Sequence, residues 1–145
     1  MVILYLDTSC LLKLYLYEAG SEEVQHRVDL CHAVSSSWIA YTEMHSALTR
    51  RMREGAIEKK DFQEYLGLFQ RDWGKFSKLV CDEAVSHLAG DMAVKHRLRG
   101  MDAIHLASAV QLRNQNASVA FEFLSADVRL NEAAKKEGFR RIFKG

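Results

Sequence analysis

Short apolar runs alternate with longer amphipathic stretches along this chain. Val2–Leu6 is a run of strand formers, closed by Asp7-Thr8-Ser9, a cluster that can start a helix. Helical patterns follow over 9–17 and 21–31, separated at Ala19-Gly20-Ser21, where Ser21 with Glu22 and Glu23 reads as a helix N-terminus. Ala33–Ser37 is a weaker second strand. A helix then runs from Trp38 to Glu54, with Gly55 as its left-handed C-terminal cap. The stretch from Glu58 to Phe76 places Phe62, Tyr65, Leu66, Phe69 and Trp73 three and four apart, which is helical spacing. Ser77–Cys81 is a third short strand, and a helix covers 82–98. Gly100 breaks the chain before a helix from Asp102 to Asn114. Val119–Leu124 is a fourth strand, 127–137 a last helix and Arg141–Phe143 a closing strand. This alternation predicts an α/β sandwich around a mostly parallel sheet of four to five short strands. Ligands of such sheets sit beyond the carboxyl ends of the strands, so chemistry is sought there.

The 145 residues suit one compact domain over 1–145, since two halves would each be too small to bury a good core. Proline is absent where average usage gives about seven, which favours uninterrupted helices. Cys10, Cys31 and Cys81 are odd in number and widely spaced, against a disulfide framework or a zinc knuckle and in favour of a reducing cytosol. The opening apolar run carries no preceding basic residue and stops at Asp7, so neither a signal peptide nor a membrane span fits. A net charge of +1 excludes a strongly basic nucleic-acid coat. It conceals a gradient: residues 1–49 hold 2 basic and 6 acidic side chains, residues 50–78 hold 8 and 5. A polyanion could lie on the basic part while something else uses the acid.

Four acids stand at strand ends or helix starts. Asp7 follows the first strand; a helix N-cap is its plainest role, but Thr8 and Ser9 both offer capping hydroxyls, leaving its charge surplus to that task. Asp127 repeats the arrangement after the fourth strand, with Ser125 available as the cap and the helix dipole as a reason for an acid in the first turn. Asp102 opens a helix that is apolar or small on every side and therefore buried. On the helix 38–54, Trp38, Tyr41, His45, Leu48 and Met52 form one stripe, and Glu43 lies nearly opposite it. That fits a solvated glutamate or one facing a water-filled cleft equally well. In a parallel sheet these carboxylates share one edge. Their repulsion is then relieved by protonation or by a cation, and oxygen donors suit Mg²⁺ or Mn²⁺.

At these residues the chain resembles the PIN-domain ribonucleases, specifically VapC-type toxins of type II toxin–antitoxin modules. The matching segments are Leu6-Asp7-Thr8-Ser9, Tyr41-Thr42-Glu43-Met44-His45-Ser46-Ala47-Leu48, Arg99-Gly100-Met101-Asp102-Ala103-Ile104-His105-Leu106-Ala107 and Phe123-Leu124-Ser125-Ala126-Asp127-Val128-Arg129-Leu130. Gly100-Met101 stands where bulkier apolar residues are expected. The resemblance implies a PIN-like three-layer α/β/α sandwich and a Mg²⁺- or Mn²⁺-dependent endoribonuclease. It implies a cytoplasmic homodimer, not bound to a membrane, with a cognate VapB-type antitoxin and an RNA substrate. Carried over by position, Asp7 and Asp102 would be principal metal ligands, Asp127 would bind directly or through water, and Glu43 would hold a metal-bound water or act as a ligand. Thr8, Ser9 and Ser125 would orient these acids by hydrogen bonds.

Arg50, Arg51 and Arg53 complement a helix C-terminus or reach RNA phosphates; Arg99 and Arg129, each near a candidate ligand, are sharper candidates for phosphate contacts. His105 reads first as a satisfied core histidine and second as a general base. Phe62, Tyr65, Phe69 and Trp73 read as core or subunit interface ahead of a base-stacking platform. A haloacid-dehalogenase-type phosphatase needs a second Asp where Ser9 stands, a receiver domain needs an early acidic pair, and nucleotide-binding classes need a Gly-rich loop that this chain lacks. A PIN-fold RNA-processing nuclease without a toxin role, or a noncatalytic PIN-fold binding module, are the alternatives.

Overall fold

A computed structural model describes residues 1–140. In chain order its elements are β1 (Val2–Leu6), α1 (Thr8–Leu12), α2 (Ser21–Leu30), β2 (Ala33–Ser37), α3 (Ile39–Arg53) and α4 (Lys59–Trp73). They continue with β3 (Ser77–Leu79), α5 (Glu83–His96), α6 (Gly100–Gln115), β4 (Ala120–Leu124) and α7 (Val128–Lys136). The four strands form one parallel sheet in the order β3-β2-β1-β4. The expected closing strand at Arg141–Phe143 lies outside the described residues.

Strand β1 is apolar throughout because both of its faces are covered. Alternate side chains point to opposite faces, so Leu4 and Leu6 enter one core with Cys10, Leu11, Met44, Leu48, Phe69 and Trp73. Tyr5 enters a second core with Val85, Leu106, Phe123, Leu130 and Phe139. Helices α1, α3 and α4 therefore cover one face and α5, α6 and α7 the other, giving the three-layer α/β/α sandwich. Strand β2 reads weakly because serines are poor strand formers. Ser35, Ser36 and Ser37 are nonetheless fully buried, and the Ser36 hydroxyl donates to the Leu6 carbonyl at 2.7 Å. Among the described residues no helix is long and apolar enough to cross a membrane.

Several boundaries differ from the sequence pattern. The stretch 9–17 is helical only as far as Leu12, after which i to i+3 bonds such as Leu14 N–H to Leu11 C=O tighten the chain into turns. Strand β3 stops at Leu79, whose carbonyl takes the Trp38 N–H as β2 ends. Gly100 does not break the chain. It is the first residue of α6, behind an extended Arg99, so Asp102 sits inside the first turn and is not the cap. The buried line of α3 is Ala40–Met44–Leu48, rotated from the aromatic stripe read in the sequence. Tyr41 and His45 instead flank that line against the rings of Phe69 and Trp73 on α4.

Sheet order places the site. From β1 the chain steps to β2 on one side, whereas β4 joins β1 on the other, so a topological switch point opens between the carboxyl ends of β1 and β4. Leu6 pairs with Leu124 there, and the Asp7 N–H continues the ladder onto the Leu124 carbonyl at 3.2 Å.

Candidate active site

Asp7 leaves β1 at this switch point and is almost fully buried, 4% exposed. It is itself the N-cap of α1: Oδ1 accepts from the Cys10 N–H at 3.1 Å and the Ser9 hydroxyl at 2.6 Å. The sequence reading that Thr8 or Ser9 frees Asp7 from capping is therefore corrected, since Thr8 donates to Glu43 and Ser9 donates to Asp7 itself. Oδ2 accepts from the Ser125 hydroxyl at 2.5 Å. Burial pushes the Asp7 carboxyl above the usual range, with His105 and the serine hydroxyls pulling the other way. A buried charge held by neutral donors alone is costly.

Asp127, one strand over, caps α7. Its Oδ1 accepts from the N–H groups of Arg129 at 2.8 Å and Leu130 at 3.2 Å. Ser125 is not the cap, as its sequence position suggested; its hydroxyl accepts from the Asp127 N–H at 3.0 Å while donating to Asp7. Ser125 thus joins two of the four acids, held in turn by Asn131, which bonds both its N–H and its carbonyl. Asp102 is the third acid. Arg99 spans it and Asp127, with Nε 3.2 Å from Asp102 Oδ2 and Nη2 3.6 Å from Asp127 Oδ2. The Arg99 guanidinium thus bridges these two carboxylates from an exposed position.

Glu43 is neither a solvated surface residue nor opposite a buried stripe. It sits beside the Met44 core line, and its Oε1 accepts from the Thr8 hydroxyl at 2.5 Å and lies 2.9 Å from His105 Nε2. Burial pushes its carboxyl up, but the bonds from His105 and Thr8 outweigh this and hold it below the usual glutamate range. Glu43 faces an open cleft of about 590 Å³ lined by Thr8, Ile39, Ala47, Arg50 and Met101. It shares a second recess of about 520 Å³ with Arg99 and Asp102.

Three of the four acids are linked by polar contacts, and the fourth, Glu43, bonds the residue that follows Asp7. Glu43 joins Thr8, which neighbours Asp7; Asp7 joins Ser125, which joins Asp127; and Arg99 ties Asp127 to Asp102. Among the described residues, no three His, Cys, Asp or Glu side chains are grouped as ion holders. The donor chemistry still fits a hard divalent cation, being all oxygen.

The basic candidates separate. Arg50 lines the cleft, whereas Arg51 is committed to Glu18 at 3.0 Å. Arg129 is exposed on the first turn of α7. His105 is the participant the sequence reading undervalued: it is buried and paired, as a core histidine should be, but its partner is Glu43. The signal was available, since His105 lies three residues after Asp102 and so on the same side of α6.

The sequence pattern of the PIN domain matches residues 4–136. The chain belongs to the PIN-domain family. Among PIN-domain relatives, Ribonuclease VapC45 of Mycobacterium tuberculosis is 33% identical over 144 residues, spanning 97% of this chain and 94% of that protein. The crystal structure of VapC20 from the same organism, described as a Sarcin-Ricin loop cleaving toxin, superposes with a TM-score of 0.67 at 14% identity. That match covers 97% of this chain and 98% of the other. A toxin–antitoxin complex from Klebsiella pneumoniae gives a TM-score of 0.59 at 17% identity over 85% of each chain. These two structural likenesses speak to the PIN fold.

Proposed function

We propose that this PIN-domain chain is an endoribonuclease toxin of the VapC type, hydrolysing RNA phosphodiester bonds with Mg²⁺ or Mn²⁺. What supports this reading is that Asp7 and Asp127 share the Ser125 hydroxyl at the switch point between β1 and β4, with Arg99 reaching from Asp127 to Asp102 and Glu43 bonded to the residue after Asp7. The full-length likeness to a named ribonuclease supports it. Asp7, Asp102 and Asp127 would hold the cation, with Glu43 at its edge. When bound there, the ion supplies positive charge to phosphoryl oxygens and makes water more acidic.

The chain's own residues then have distinct tasks. Ser9, Ser125 and the Cys10 N–H fix the Asp7 carboxylate, so its orientation is set before substrate arrives. Glu43 uses only Oε1 for Thr8 and His105, which leaves Oε2 to accept a proton from the attacking water. Arg50 and Arg99 offer guanidinium groups to the phosphates of a strand in the cleft, holding it without reading its sequence. In-line attack leaves a 5′ phosphate and a 3′ hydroxyl. The partner in this reading is a small VapB-type antitoxin, the toxin is a homodimer, and the compartment is the cytoplasm.

Purified protein should cut RNA with Mg²⁺ or Mn²⁺ and stop in excess EDTA. Asp7→Asn and Asp102→Asn should each abolish cutting while the circular dichroism spectrum stays native. Cleavage retained in either variant, or at full rate in EDTA, rejects the site. Expression alone should arrest growth, and co-expression of the adjacent small reading frame should relieve it. Cutting without growth arrest favours a processing nuclease instead.

A further inference from the structure

A line of polar side chains crosses the core and ends at the cleft. Tyr5 on β1 is fully buried and His105 on α6 is 2% exposed. The Tyr5 hydroxyl lies 2.8 Å from His105 Nδ1, and His105 Nε2 lies 2.9 Å from Glu43 Oε1 on α3. Thr8 on α1 closes the group, donating to the same Glu43 oxygen and lying 3.2 Å from Nε2. Four elements therefore meet at one imidazole.

The proton positions follow from chemistry. A carboxylate can only accept, so Nε2 carries a proton toward Glu43. With Nε2–H committed to Glu43, Nδ1 is left to the Tyr5 hydroxyl, which can donate to it when that nitrogen is bare. Ser36 and Ser108, the hydroxyls beside Tyr5, give their own protons to the Leu6 and Ile104 carbonyls. Phe and Leu could fill the volume of Tyr5 and His105 with no pairing requirement, so the polar line is not needed for packing. What it does provide is a second anchor, beside the Thr8 hydroxyl, for a glutamate side chain at an open cleft.

We propose that His105 is a positioning residue: its Nε2–H, backed at Nδ1 by the Tyr5 hydroxyl, holds Glu43 oriented for proton transfer. The role deepens the hydrolytic reading and rests on it, but the tautomer can be read without metal, RNA or turnover. Nitrogen NMR of chain labelled at the histidine rings should show His105 protonated at Nε2 and bare at Nδ1, and Tyr5→Phe should shift the Nδ1 resonance. A proton on Nδ1 with Nε2 bare overturns the proposal. In RNA cleavage, His105→Leu should lower kcat about 10- to 100-fold with KM changed by less than about twofold. His105→Gln, whose amide N–H can reach Glu43, should recover most of that loss. In a Glu43→Gln background, His105→Leu should cost nothing further. Equal losses for the Leu and Gln variants, or additive losses with Glu43→Gln, would reduce His105 to a packing role. A wild-type chain that cuts no RNA overturns the hydrolytic reading itself, whatever the tautomer.

Discussion

Ser125 shows how much one hydroxyl can hold. It donates to Asp7 and accepts from the Asp127 N–H, so Ser125→Ala leaves a buried carboxylate oxygen and a backbone donor unpaired together. Loss of partners at buried polar groups costs about 1–3 kcal/mol, and the urea midpoint of Ser125→Ala should fall accordingly. Asp7 should behave oppositely. Its charge is buried among neutral donors, and burial raises its pKa. Asp7→Asn keeps the shape and removes the charge, so without added metal its thermal midpoint should match or exceed the wild type while cleavage is lost. A lower midpoint would mean the carboxylate stabilises the fold, contrary to its environment. The same residue is legible in sequence as an acid ending an apolar strand. How its two oxygens are shared was not, because which oxygen meets which donor depends on Ser125, far away in the chain.

Helix ends carry the element-scale lesson. Helices α3 and α7 both finish on a glycine with positive φ, Gly55 at 77° and Gly138 at 99°. Both close with the same bond pair: Ala56 N–H to Arg51 C=O and Gly55 N–H to Met52 C=O on α3, Phe139 N–H to Ala134 C=O and Gly138 N–H to Lys135 C=O on α7. A Cβ at Gly55 meets nothing, whereas one at Gly138 comes within 3.2 Å of Arg113 Nη1. Gly55→Ala should therefore cost about 1–2 kcal/mol for the left-handed conformation alone. Gly138→Ala should cost more, because Arg113, which donates to the Glu137 carbonyl at 2.6 Å, must also move. Chemical denaturation of the two variants compares them directly, and an equal loss would show that Arg113 yields freely. Gly55 was readable as a cap from its place after a basic last turn. The start of α6 was not, since Gly100 resembles a breaker yet is the first residue of the helix, behind an extended Arg99.

Across the whole molecule, acid stability turns on carboxylates tied to remote bases. Hydrogen bonding from Lys95, with His96 adding to it against some burial, holds Glu137 below the usual glutamate range. At Glu18 burial pushes upward, but bonds from Lys13 and Arg51 outweigh it and leave a lowered pKa. A depressed folded-state value adds stability above the unfolded value of about 4.3, and that stability is lost as pH falls through the lower folded value. The urea midpoint should thus decline as pH drops from about 5 to 3. Glu137→Gln should flatten part of that decline, and an unchanged profile would show that the Lys95–His96–Glu137 cluster adds nothing.

By itself the sequence determined what local patterning can encode. Short strand-forming runs alternating with helical stretches point to a parallel α/β sheet, and four separated motifs carry the PIN-domain likeness. Tertiary structure alone decided what depends on approach through space. Three serines of β2 are fully buried because β1 and β3 pair on either side of them. Glu43 turns to the cleft because α1 and α6 present Thr8 and His105 to one of its oxygens. Arg99 lies across two acids drawn from α6 and α7. Periodicity reports which face of an element is apolar. It carries no information on which distant donor arrives at a given carboxylate, and that pairing governs where charge sits in this fold.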